Sequence, residues 1–145
     1  MNQDESLKLS NQLCFSIYAC SKEIIKLYKP YLDELGLTYT QYITMLVLWE
    51  ENNISVKNLG ERLFLDSGTL TPLLKKLEKM GIVSRNRSEL DERVMIVSLT
   101  DDGKKLKEKA KEIPYKVFCA SKLSIEEGTK LKSDINNLLD KLTKE

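Results

Sequence analysis

Histidine is missing altogether, and glycine (6), proline (3) and cysteine (3) are scarce in a chain of 145 residues. Without histidine the commonest neutral-pH base and metal ligand is gone. Three dispersed cysteines do not make a usual zinc site, so neither metal nor cofactor is expected. No glycine-rich phosphate loop and no clustered carboxylate pair stands in their place, which leaves an enzyme poorly supported. A small, odd number of cysteines argues against a secreted disulfide framework and for reduced thiols or a redox role. No apolar run approaches the roughly 18 residues that span a bilayer. The first residues, MNQDESLKLS, lack the apolar centre of a secretory signal. A soluble cytoplasmic protein with no membrane partner is therefore expected.

Charge of one sign is lacking too. The formal net charge is +1, poor for a nucleic-acid binder, but patterning matters more than the total. From Lys75 to Arg93 six cations (Lys75, Lys76, Lys79, Arg85, Arg87, Arg93) face four anions (Glu78, Glu89, Asp91, Glu92). That excess is modest, so any DNA-binding reading has to rest on geometry.

What is present is a clear order of elements. A helix is expected from about Ser10 to Tyr28, capped by Asp4 or Ser10 and stopped by Pro30. Thr38-Tyr-Thr-Gln41 is a capping box opening a helix to about Glu51. Asn52-Asn53 breaks it, and Ser55 caps Val56 to Leu63. Asp66 or Ser67 caps the next helix, whose Leu70, Leu73, Leu74, Leu77 and Met80 form one buried stripe, with Gly81 as its left-handed stop. Ile82–Arg87 and Val94–Leu99 read as a hairpin with a polar tip. Thr100, followed by Asp101 and Asp102, caps a long helix towards Cys119, bent or interrupted at Pro114. Ser124-Ile-Glu-Glu127 is a second capping box, and Leu131, Ile135, Leu138 and Leu142 stripe the last helix. The fold class is mainly α with a small β-hairpin. Apolar stripes at both ends have too little of their own domain to cover them, so a homodimer through the terminal helices is expected.

The segment from Leu59 to Thr100 has the order of a winged helix-turn-helix. A recognition helix needs small or polar residues on its outer N-terminal half. Ser67, Gly68, Thr69 and Thr71 supply that surface, and Pro72 fits if it falls in the first turn. Lys75 and Lys76 suit phosphate contacts. Arg93 at the hairpin tip suits the minor groove, with Asp91 to hold the finger's shape and Arg85 and Arg87 as further cations.

The thiols form a second theme. Cys14 lies early in its helix, where backbone donors favour a thiolate, and Tyr18, four residues on, shares its face. Tyr28 and Tyr39 offer phenolic donors elsewhere. Cys20 is roughly 9 Å along the axis and 120° around it from Cys14, so those two cannot bridge within one helix.

The run LFLDSGTLTPLLKKLEKMGIVSRNRSELDERVMIVSLT, with Asp91-Glu92-Arg93 at its wing, resembles the multiple-antibiotic-resistance regulator (MarR) family. QLCFSIYACSKEIIKLYKP and LTYTQY are similar to its organic-hydroperoxide-resistance and staphylococcal thiol-based members. The resemblance covers nearly the whole chain. It implies a single MarR-type domain over 1–145, with dimerisation helices at about 8–35 and 100–145 and a winged DNA-binding region at about 38–99. It implies a homodimeric repressor on a palindromic double-stranded operator, released when Cys14 is oxidised by an organic hydroperoxide or another oxidant. It also implies that Tyr28 and Tyr39 of the opposite subunit support Cys14. A second cysteine near Cys119 closes an intersubunit disulfide in some such regulators. Others form mixed disulfides with low-molecular-weight thiols, so Cys119 stands either as resolving thiol or as bystander. Two alternatives stay open: a regulator gated by a phenolic or lipophilic ligand bound among Tyr18, Tyr28, Tyr39 and Tyr42, and a thiol peroxidase.

Overall fold

Helix starts in this chain are set by side chains. In the computed structural model, which describes residues 2–144, six helices begin at an Asn, Ser, Thr or Asp whose oxygen accepts the amide three residues on. The elements are α1 (Gln3–Ser6), a 3-10 turn (Leu9–Asn11), α2 (Leu13–Leu35), α3 (Tyr39–Glu50), β1 (Ile54–Ser55), α4 (Val56–Leu63), α5 (Ser67–Lys79), β2 (Val83–Arg87), β3 (Met95–Leu99), α6 (Asp101–Ala110), α7 (Ile113–Ala120) and α8 (Ile125–Thr143). Both expected capping boxes form, Thr38 with Gln41 and Ser124 with Glu127. Among the described residues no helix is long and apolar enough to cross a membrane.

Two expectations need correction. The first long helix starts neither at Asp4 nor at Ser10: Asp4 lies in α1, Ser10 in the 3-10 turn, and Gln12 precedes α2 without a side-chain cap. Nor does Pro30 stop it. α2 runs on to Leu35 and ends at Gly36, which takes the left-handed conformation (φ 71°). Pro30 is exposed, so the carbonyl it leaves unbonded can be hydrated, while Leu32 just beyond is buried in the core. The helix from Thr100 breaks at Lys111–Glu112, and Pro114 falls in the first turn of α7, where its missing N–H costs little.

The hairpin is also larger than expected. β1 pairs antiparallel with β3, Ile54 opposite Val97, giving the strand order β1-β3-β2. Asn52 accepts the Leu99 amide at 2.8 Å, and Asn53 accepts from the Ser98 hydroxyl at 2.5 Å. The helix-breaking pair thus closes the sheet as well.

The core lies where α3, α4 and α5 meet the sheet. Met45, Leu48, Leu59, Leu74, Leu77 and Val97 are fully buried, and Leu70 and Leu73 of the expected stripe join them. Met80, its last member, is 40% exposed. α6 rests directly on the hairpin base: Trp49 Nε1 donates to the Gly103 carbonyl at 2.9 Å, and a β-carbon on Gly103 would stand 2.0 Å from the Ile82 carbonyl oxygen. α8, by contrast, spans 19 residues and buries none of them in the single chain.

The close approach at Gly103 gives a test. Gly103→Ala has to push backbone apart and is expected to destabilise the fold by about 3 kcal/mol or more, read as a lower urea midpoint. An unchanged midpoint would show that α6 does not bear on the hairpin.

Candidate nucleic-acid interface and thiol site

α4 and α5 are joined by a short turn in which Phe64 takes a left-handed conformation (φ 56°). Asp66 caps α5, accepting the Thr69 amide at 2.7 Å, and those hydrogen bonds hold its carboxyl below the ordinary range. Ser67, Gly68 and Thr69 are exposed, Thr71 is half-buried, and Lys75 and Lys76 are exposed further along. Leu70, Leu73, Leu74 and Leu77 hold the opposite face. Pro72 is the sixth residue of α5 and so lies in the second turn, not the first. It stays tolerable because it is exposed, as is Gly68, whose carbonyl loses its partner.

The β2–β3 loop is a clasped finger. Asp91 accepts from Arg93 Nε and Nη2, both at 3.1 Å, and from the Arg93 amide at 3.0 Å. These bonds hold the Asp91 carboxyl below its ordinary range. The Arg93 side chain is still 90% exposed. Arg87 leans on the Glu92 carbonyl at 3.3 Å. Arg85 is placed differently from the other candidate cations: it forms a part-buried ion pair with Glu78 that ties β2 to α5. Sequence reasoning missed Glu78, because the two residues sit on different elements with no helical spacing between them.

Cys14 is the second residue of α2 and is exposed, as are Cys20 and Cys119. Nothing caps the amides around it. The Gln12 side chain instead donates back to the Ser6 and Lys8 carbonyls, and the first turn of α2 holds no acid. The start of α2 therefore has no side-chain cap on its backbone donors. Tyr18 is exposed, with its ring 6.4 Å from Phe15 and Lys22 Nζ 5.2 Å above it.

Tyr28 and Tyr39 are brought together elsewhere. Their rings meet edge-on at 5.0 Å, and buried Tyr42 completes the cluster at 5.5 and 6.2 Å. Burial raises the Tyr39 phenol; burial and then the Tyr39 charge raise Tyr28. Burial, with its two neighbours adding, pushes Tyr42 up to about 12. Tyr28 and Tyr39 also line a mainly apolar cavity of about 760 Å³ between α2, α7 and α8, walled by Ile24, Val117, Phe118 and Ile135. Cys119 stands next to Phe118, and the Cys119 side chain, one turn on from Tyr115, raises the Tyr115 phenol above its ordinary value. The four-residue spacing that pairs Cys14 with Tyr18 also pairs Tyr115 with Cys119, a signal present in the sequence but passed over.

Within one chain Cys14 does not reach Tyr28. Both ride on α2, fourteen residues apart, which places them about 21 Å from each other along the axis.

The chain matches the transcriptional regulator SarA/Rot family over residues 26–110. It is 52% identical over 141 residues to the organic hydroperoxide resistance transcriptional regulator of Bacillus subtilis (strain 168), covering 97% of this chain and 96% of that one. Among solved structures it is similar to reduced AbfR of Staphylococcus epidermidis bound to DNA (TM-score 0.78, 38% identity, 97% and 99% of the two chains). It is also similar to disulfide-formed AbfR (TM-score 0.65, 37% identity, 94% and 96%).

The tyrosine cluster predicts an alkaline limit. Tyr42's folded value lies above its ordinary 10, so the fold favours the neutral phenol. That contribution is intact below pH 10 and is lost as pH climbs towards about 12. Absorbance titration at the phenolate band should show Tyr42 among the last tyrosines to ionise, with Tyr42→Phe removing that phase and the accompanying loss of stability.

Proposed function

Because the chain belongs to the SarA/Rot family of MarR-type transcriptional regulators, DNA-binding proteins and not enzymes, we propose that it is a homodimeric cytoplasmic repressor that lets go of its operator when Cys14 is oxidised. Residues 38–99 form the winged reading region, and 8–35 and 100–145 the dimerisation helices, within one domain. Ser67, Gly68, Thr69 and Thr71 enter the major groove, Lys75 and Lys76 meet phosphates, and Arg93 enters the minor groove. Two such heads on a palindrome sit roughly 34 Å apart.

The observation that carries the redox reading is the separation of the sulfur from its tyrosines on a single rigid helix. A donor pair lines a cavity that the chain's own Cys14 cannot enter, while Cys14 stands exposed beside Leu13 (69% exposed) and Phe15. A second copy satisfies both needs. It inserts the start of α2 into the cavity, covers the exposed faces of α2 and α8, and brings Cys14 to the partner chain's phenols. The Cys14 thiolate attacks the distal oxygen of an organic hydroperoxide. The O–O bond breaks, the alcohol leaves after taking a proton, and a sulfenic acid remains. A resolving thiol then attacks that sulfur and expels water to give a disulfide, with Cys119 or a low-molecular-weight thiol in that role. Either product is bulkier than a thiolate and disturbs the phenol contacts.

The apolar cavity supports a second reading, gating by a lipophilic or phenolic ligand. One titration separates the two. On duplex DNA from upstream of the gene, wild type is expected to dissociate after cumene hydroperoxide and Cys14→Ser to stay bound. Release of the Cys14→Ser protein by peroxide would overturn the redox reading. Sedimentation is expected at twice the 16.7 kDa chain mass. On non-reducing gels a peroxide-induced dimer band should vanish in Cys119→Ser; its persistence there would remove Cys119 as resolving thiol.

A further inference from the structure

The wing carries a feature that a cation-based account leaves unused. Leu90, at the tip of the β2–β3 loop, is 98% exposed. Most of the other exposed large apolar residues lie on α2, α7 and α8, the faces a second copy covers. Leu90 lies apart from those helices, on the loop between β2 and β3.

It is not an unrestrained side chain on a loose loop. The Ser88 amide donates to the Val94 carbonyl at 2.8 Å, the Val94 amide to the Asp91 carbonyl at 3.0 Å, and the Leu90 amide to the Ser88 hydroxyl at 3.2 Å. With the Asp91–Arg93 clasp these bonds fix the tip and hold Leu90 outward, three residues from Arg93. Charge does not explain how such a tip would sit on DNA. From Arg87 to Arg93 two arginines face three acids, Glu89, Asp91 and Glu92, and Asp91 already engages the Arg93 guanidinium. Phosphates do not attract a finger of that balance, so its seating has to come from contact. The minor groove, roughly 6 Å wide, offers apolar deoxyribose walls above a floor of acceptors. Proteins that use this groove place leucine and similar side chains there as wedges.

We propose that Leu90 is an apolar wedge that packs on the sugar walls of the minor groove and sets how deeply Arg93 reaches, so that the wing reads groove width. This rests on the DNA-binding reading above. It makes the base pairs under the wing matter through shape, with A·T-rich, narrow-grooved steps preferred.

The test uses the full-length protein and fluorescence anisotropy on duplex DNA from upstream of its own gene. Wing-facing positions are varied between A·T, G·C and inosine·C pairs, the last removing the minor-groove amino group while keeping the G·C-like major groove. Wild type should prefer A·T and inosine·C over G·C. Leu90→Ala should bind roughly tenfold more weakly, as expected for losing most of a leucine's buried contact. It should also lose that preference while keeping the same salt dependence, because no charge is removed. Thermal melting should be unchanged, since the side chain touches nothing in the fold. If Leu90→Ala keeps wild-type affinity and preference while Arg93→Ala weakens binding, the wedge is wrong and the DNA-binding reading stands. If wild type binds no upstream duplex at all, both fall together.

Discussion

A helix keeps its two ends apart, and α2 is the element on which the proposed thiol chemistry and DNA-reading geometry both depend. Its first turn carries Cys14; its last third carries Tyr28, which touches Tyr39 and Tyr42 of α3. α3 in turn supplies Met45 and Leu48 to the core that α4 and α5 share. A disturbance at the phenols is therefore one helix away from the recognition helix, and the path runs through packed side chains without a flexible link. Under the proposed reading the sulfur acts on that joint from outside, through a partner chain. Such an arrangement would couple oxidation to the spacing of two reading heads. The exposed start of α2 and α8, which has no fully buried residue, are the same fact seen energetically: each leaves apolar surface that the proposed dimer would remove from water.

The near-zero net charge fits a reader that relies on shape. Counterion release scales with the number of phosphates neutralised, and α5 offers only Lys75, Lys76 and Lys79 beyond its polar first turn. Arg85, which would have raised that number, is occupied by Glu78 in holding β2 against α5. The anion at the start of α5 also takes the Thr69 amide for itself, leaving the Ser67 and Gly68 amides as outward donors. Affinity then depends on placing few contacts well. Under the proposed reading the clasped wing serves that end, since Asp91 holds Arg93 before any DNA arrives and reduces the ordering cost of binding.

Most of the helix plan was legible because caps are local chemistry. Thr38, Ser55, Asp66, Thr100 and Ser124 each accept the amide that their sequence context predicts. The errors concern residues whose local preference was overruled by packing. Pro30 and Pro72 both look like boundaries, yet both sit inside helices on exposed faces, where an unbonded carbonyl meets water and the apolar residues on either side continue the stripe. β1 is two residues long and carries no period to read; only its partner β3 makes it a strand. Of the candidate site, the recognition surface and the wing clasp follow from spacing along the chain. The Arg85–Glu78 pair and the meeting of Tyr28 with Tyr39 and Tyr42 required the tertiary fold. Tyr115 beside Cys119 was within reach of the sequence, as a helical neighbour four residues away.

The two states of AbfR bear on how an oxidised form of this chain would differ. Both AbfR structures share nearly the same identity with it and are compared over nearly the same length, so divergence in sequence cannot account for the lower likeness to the disulfide form. Each comparison superposes one chain on one chain, so the lower likeness is a difference between single subunits. A rotation of two unchanged subunits about their interface would leave it at zero. The likeness is nearly the same to the reduced and the overoxidised DNA-bound forms of AbfR (TM-scores 0.78 and 0.76) and lower to its disulfide form (0.65). In this chain the segment best placed to yield is the join of α6, α7 and α8. α6 breaks at Lys111–Glu112, Lys122 takes a left-handed conformation (φ 63°), and Cys119 lies between these two points. α3, α4 and α5 form the close-packed core and have little room to deform.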